Sequence, residues 1–178
     1  MRVVCKQFLL ILLFLFITNT ILYTQNPSYQ LTIESGGYVD FKIVSMHQYE
    51  NDGGIDYPSW TRLKVVYNDT TDGTQEWKLG FKAGTSDFIT GVENRTLPLN
   101  YVSVYVADID TISNDDNVSI EDQPLALTDE YQELVENADE GTYRLYVTYQ
   151  LDSVLLENYP DYYNTEIIYK IVPNGENF

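Results

Sequence analysis

A hydrophobic period of two residues constrains this chain most. It is clearest around Trp77-Lys78-Leu79-Gly80-Phe81-Lys82-Ala83, where Trp77, Leu79, Phe81 and Ala83 point one way and Glu76, Lys78 and Lys82 the other. Successive side chains of a strand alternate between faces, so such a segment buries one face and wets the other. The same period recurs at Tyr29, Leu31 and Ile33, at Val39, Phe41 and Ile43, and at Leu63, Val65 and Tyr67 following Trp60. Ser35-Gly36-Gly37 separates the first two of these runs. His47 to Tyr57, with Asn51-Asp52-Gly53-Gly54, reads as a loop; Asn68 to Thr74 reads as a turn and Gly84 to Thr96 as a further loop.

Leu97 to Val106 reads as a strand open to burial on both faces, and Asp108 to Gln123 as a long exposed acidic loop. Thr128 is placed to cap one short helix running to Glu136, with Asp129 and Glu130 favourable to its dipole. Thr142 to Leu151 and Thr165 to Val172 complete a set of about eight strands. Short strands, long loops and no alternation of strand with helix predict an all-β, antiparallel β-sandwich with at most one short helix, a barrel being the alternative.

The amino-terminal segment has a different pattern. Arg2 and Lys6 precede an unbroken apolar run from Phe8 to Ile17, and the chain turns polar at Thr18. A run of ten is too short for a bilayer core of about 30 Å, and charge before grease before small polar residues is the export pattern. Residues 1–24 are therefore expected to be a signal peptide cut near Gln25, leaving 25–178 as one exported domain with no membrane span. Cys5, the only cysteine, lies within that leader, so no disulfide is expected and the aromatic residues must fill the core. The chain carries a net −17, and loss of Arg2 and Lys6 leaves eight cations against 27 acids, a net −19. Such a surface repels phosphate and excludes nucleic acid and anionic membranes as partners.

Asp139-Glu140-Gly141-Thr142-Tyr143-Arg144-Leu145 resembles the tyrosine corner of immunoglobulin-like domains. There a tyrosine at the head of a strand returns its hydroxyl to an upstream backbone group. An ordinary Asp-x-Gly turn before an aromatic strand is the other reading. Leu145 stands where many such domains carry a cysteine, and Trp60 or Trp77 is the candidate for a central tryptophan.

Together with Gly36-Gly37-Tyr38-Val39-Asp40-Phe41, Trp60-Thr61-Arg62-Leu63-Lys64-Val65 and Thr165-Glu166-Ile167-Ile168-Tyr169-Lys170-Ile171, these pieces make the chain resemble exported, immunoglobulin-like surface or fimbrial-type subunits of Bacteroidetes-like bacteria. The resemblance implies a non-enzymatic subunit of a cell-surface assembly, with other surface-structure subunits or an export chaperone and usher as partners. The chain departs from pilins of that pathway in having no cysteine past the leader and in carrying its own final strand. Gln25 to Ile33 serves equally as a strand donated to a neighbour or as the first strand of its own sheet.

Enzymatic constellations are absent from the pattern. His47 is the only histidine, with no marked nucleophile, no His/Cys cluster offers zinc a site, and no glycine-rich phosphate loop opens a helix. Paired carboxylates abound, but abundance fixes no geometry for sugar hydrolysis. Asp108, Asp110, Asp115 and Asp116, with Glu121 and Asp122, present hard oxygens suited to calcium, although neither spacing nor flanks match an EF-hand and a solvated acidic loop explains them too. Tyr49, Tyr57, Tyr159, Tyr162 and Tyr163 fall in expected loops and offer a platform for stacking glycan, or simply fill loops and edges.

Overall fold

Alternation in sequence becomes alternation in burial. In the strand Gly141–Leu151, Tyr143, Leu145, Val147, Tyr149 and Leu151 are buried while every residue between them is half-buried. In Trp77–Ala83, the expected Trp77, Leu79, Phe81 and Ala83 are buried, and so is Gly80 on the opposite face. The computed structural model describes residues 27–40, 55–68, 76–91, 95–111, 118–120, 124–151 and 162–178. Within them the strands are β1 (Ser28–Ser35), β2 (Ile55–Asn68), β3 (Trp77–Ala83), β4 (Asp87–Ile89), β5 (Thr96–Pro98), β6 (Val102–Thr111), β7 (Val118–Ile120), β8 (Leu125–Ala126), β9 (Gln132–Ala138), β10 (Gly141–Leu151) and β11 (Ile167–Pro173). The expected signal peptide lies outside the described residues, among which no helix is long and apolar enough to cross a membrane.

Two antiparallel sheets form a β-sandwich. One has the order β1-β2-β10-β6-β8 and the other β11-β3-β9-β7, with β4 and β5 pairing separately. Both contribute to one core, in which Leu63, Val65 and Tyr67 of β2 and Leu145 of β10 join Leu79 and Phe81 of β3 and Val135 of β9. Burying such side chains contributes about 1.5–3 kcal/mol each, which is how a domain without disulfides holds together.

Several expectations are corrected. Thr128 to Glu136 is not a helix: the Thr128 hydroxyl donates to the Glu130 carbonyl at 3.0 Å and holds a bend, and Gln132–Ala138 is β9. Local side-chain bonds of this kind suit bends as well as caps, and here pairing with β3 on one side and β7 on the other outweighs helix propensity. The expected strand from Leu97 is broken by a 3-10 turn at Leu99–Tyr101, and the strand that follows runs on to Thr111 because β10 pairs with it that far. The acidic loop is accordingly shorter than expected, and β7 occupies its later part. Residues 36–40 form no strand, and the rest of the run at Phe41 and Ile43 lies outside the described residues. Among the described residues eleven strands stand where about eight were expected, and β4, β5, β7 and β8 have only two or three residues each.

The corner before β10 is built on one carbonyl. Tyr143 donates its hydroxyl to the Asp139 carbonyl at 2.9 Å, and Trp77 donates its indole N–H to the same oxygen at 2.8 Å. Their rings meet edge to face, with centroids 5.2 Å apart, so β3 and β10 are joined by packing and by a shared acceptor. Gly141 stands at the head of β10 between acceptor and donor. Tyr143→Phe removes one donor and leaves Asp139 bonded to Trp77. A loss of about 1 kcal/mol in urea denaturation is expected; wild-type stability in that variant would show that ring packing alone holds the corner.

Candidate functional site

The sheet edges differ in length. β7 and β8, at one end of each sheet order, have three and two residues, whereas β1 and β11, at the other ends, have eight and seven and lie beside each other. Long edges offer unpaired backbone groups to another strand, and short ones do not. The β1 and β11 side thus presents the longer edge strands among the described residues.

Its character comes from β1. Tyr29, Leu31 and Ile33 sit opposite Tyr67, Val65 and Leu63, all fully buried, and so share the inward face of the sheet. Yet Tyr29 is 49% and Ile33 51% exposed. The four-stranded sheet ends at β11, and the inward face of β1 stays half open to water. Tyr29 is supported from within by a stacked contact with Tyr67, at 6.5 Å between centroids.

Polar bonds hold this edge in place on both faces. Glu34 Oε2 accepts a hydrogen bond from Arg144 Nε at 3.1 Å and forms an ion pair with Arg62 Nε at 2.9 Å, tying β1 to β2 and β10. At the end of β1, the Gly36 carbonyl accepts from the Thr61 hydroxyl at 2.6 Å, which accepts from Tyr149 at 2.7 Å. Tyr149 has spent its one proton there, so the 2.5 Å bond between Tyr149 and Tyr169 must have Tyr169 as donor. The resulting chain, Tyr169 to Tyr149 to Thr61 to Gly36, crosses from one sheet to the other. Burial pushes the Tyr149 phenol above its ordinary value of 10.0 and the Tyr169 phenol well above it, so both keep the protons the chain needs.

The other candidate residues that are described lie on different elements. Asp108 and Asp110 lie on β6 rather than in a loop: Asp108 accepts from the Ile109 N–H at 2.9 Å and Asp110 from the Tyr146 hydroxyl at 2.9 Å. That Asp110 contact, first among the causes, raises the Tyr146 pKa. Asp115 and Asp116 lie outside the described residues, among which no three His, Cys, Asp or Glu side chains are grouped to hold a metal ion. Tyr57 is a strand residue of β2, opposite Tyr149, because β10 extends to Leu151 and is paired to its end. Tyr49 and Tyr159 lie outside the described residues. Tyr162, 91% exposed, and Tyr163, half-buried, are chain neighbours among the described residues.

Sequence reading singled out neither Glu34 nor the Tyr149 and Tyr169 pair. A signal for the tyrosines was present, since a phenol at an inward strand position demands a polar partner. No protein-family model, curated protein or solved structure matches this chain.

The raised phenols fix a pH dependence. A tyrosine with a folded pKa above its unfolded one contributes stability that is complete below the unfolded pKa and is lost as pH climbs toward the folded value. Stability is expected to fall as pH rises past 10.0, the ordinary tyrosine value. Tyr169→Phe lowers the melting temperature at neutral pH and flattens that alkaline decline. Parallel declines in variant and wild type would remove Tyr169 as the cause.

Proposed function

We propose that the chain is a non-catalytic subunit of an exported, immunoglobulin-like surface assembly that works through subunit-subunit contact at β1. The half-open apolar strip of Tyr29 and Ile33 on a long edge strand carries this reading. An incoming strand gains backbone bonds along the edge and buries those two side chains, the two ingredients of strand addition. The tyrosine corner and cysteine-free core agree with an immunoglobulin-like domain, and the acidic composition suits solubility outside the cell. An export chaperone would have the same strip to cover in transit.

A second reading, glycan binding, draws on the exposure of Tyr162 beside Tyr163. It predicts glycan binding that is lost in Tyr162→Ala.

Sedimentation of residues 25–178 tests the first reading. Concentration-dependent association is expected, and Ile33→Lys, which sets a charge on the strip, should weaken it about tenfold or more, roughly 1.4 kcal/mol. Wild-type protein that stays monomeric at high concentration and fails to cap a partner subunit would overturn the proposal.

A further inference from the structure

The outward face of the four-stranded sheet carries a notch. Gly80 interrupts the outward row of β3 between Lys78 and Lys82, and it is buried although it faces away from the core. Phe178 covers it: a Cβ on Gly80 would lie 2.7 Å from that ring, closer than the packing allows. Tyr131 stacks against Phe178 with centroids 5.4 Å apart, and Lys78 Nζ lies 5.4 Å from the Phe178 centroid while bonding Glu133 at 2.9 Å. Lys82 and Lys170 place their ammonium groups 5.1 and 5.9 Å from the Tyr131 centroid. Three of the chain's ten cations therefore gather around two aromatic rings, in a protein of net charge −17.

The segment bearing Phe178 leaves β11 through a turn. Asn174 is fixed by its N–H to the Glu76 carbonyl at 2.7 Å, Gly175 turns the chain at φ +94°, the Glu176 N–H closes the turn on the Pro173 carbonyl at 3.1 Å, and the side chains of Glu176 and Asn177 are exposed. Phe178 thus sits on a glycine floor, against an aromatic wall and beside cationic rims.

We propose that this notch is a docking site for an aromatic side chain carried on an acidic peptide segment of a partner, and that Phe178 occupies it in cis as a competing plug. The occupant's chemistry follows from the site. Without a Cβ at Gly80 the floor accepts a flat ring, and Lys82 and Lys170 favour carboxylates beside it, Lys78 being paired with Glu133. Phe178, two residues after Glu176, has that composition. The site is separate from β1 and does not depend on association there.

A blocked synthetic peptide with the sequence of residues 174–178, titrated into full-length mature protein and followed by the amide resonances of Gly80 and Tyr131, tests the proposal. A tethered ring competes at high effective concentration, so Phe178→Ala should bind the peptide at least about tenfold more tightly than wild type. Adding Gly80→Val to Phe178→Ala fills the notch where no ring must be displaced, and should abolish binding while leaving a folded circular dichroism spectrum. A peptide with alanine for its phenylalanine should not bind. Equal binding by wild type and Phe178→Ala, binding that survives Gly80→Val, or binding by the ringless peptide would each overturn the proposal, as would no binding to any variant.

Discussion

The structure depends on closing two greasy sheet faces upon each other without a covalent tie. Its answer is convergence on a backbone oxygen: Trp77 from one sheet and Tyr143 from the other both donate to the Asp139 carbonyl. Each ring brings a large buried surface and must satisfy one polar atom, and a single acceptor serves both. The rest of the core, from Leu63 and Val65 to Leu79 and Phe81, packs around this fixed crossing.

The opposite arrangement governs the β1 side. There the sandwich is closed by polar atoms rather than rings, through Tyr169, Tyr149, Thr61 and Gly36, while apolar groups remain at the margin. Burying hydroxyls costs free energy unless each is bonded, and the one-way donor chain meets that condition. The proposed strand addition rests on this hydrogen-bonded backing together with the half-wet apolar margin.

Much of the fold was legible because alternation survives wherever a strand is unbulged. β10 follows its period throughout, and β3 does so except at Gly80, which is buried on the outward face. β6 shows how legibility fails: Val106 pairs with Val147 but Asp108 pairs with Tyr146, so Ala107 is an extra residue and the period slips there. Past that slip the aspartates look like loop residues. In β9 adjacent Leu134 and Val135 are both buried at a register shift, so period two is lost just where Thr128-Asp129-Glu130 imitates a helix start. The candidate site was less legible still. Alternation at Tyr29, Leu31 and Ile33 tells which way they point, but whether the facing sheet extends far enough to cover them depends on strand order, which no local pattern encodes.

The Glu34 clasp gives β1 a mechanical quality. With the strand antiparallel to β2 over their whole shared length and its far end gripped by two guanidinium groups, a pull along its axis loads all the rungs at once instead of peeling them singly. Were the proposed strand addition to occur here, tension on the joint would pass into the body of the sandwich rather than unzip its margin.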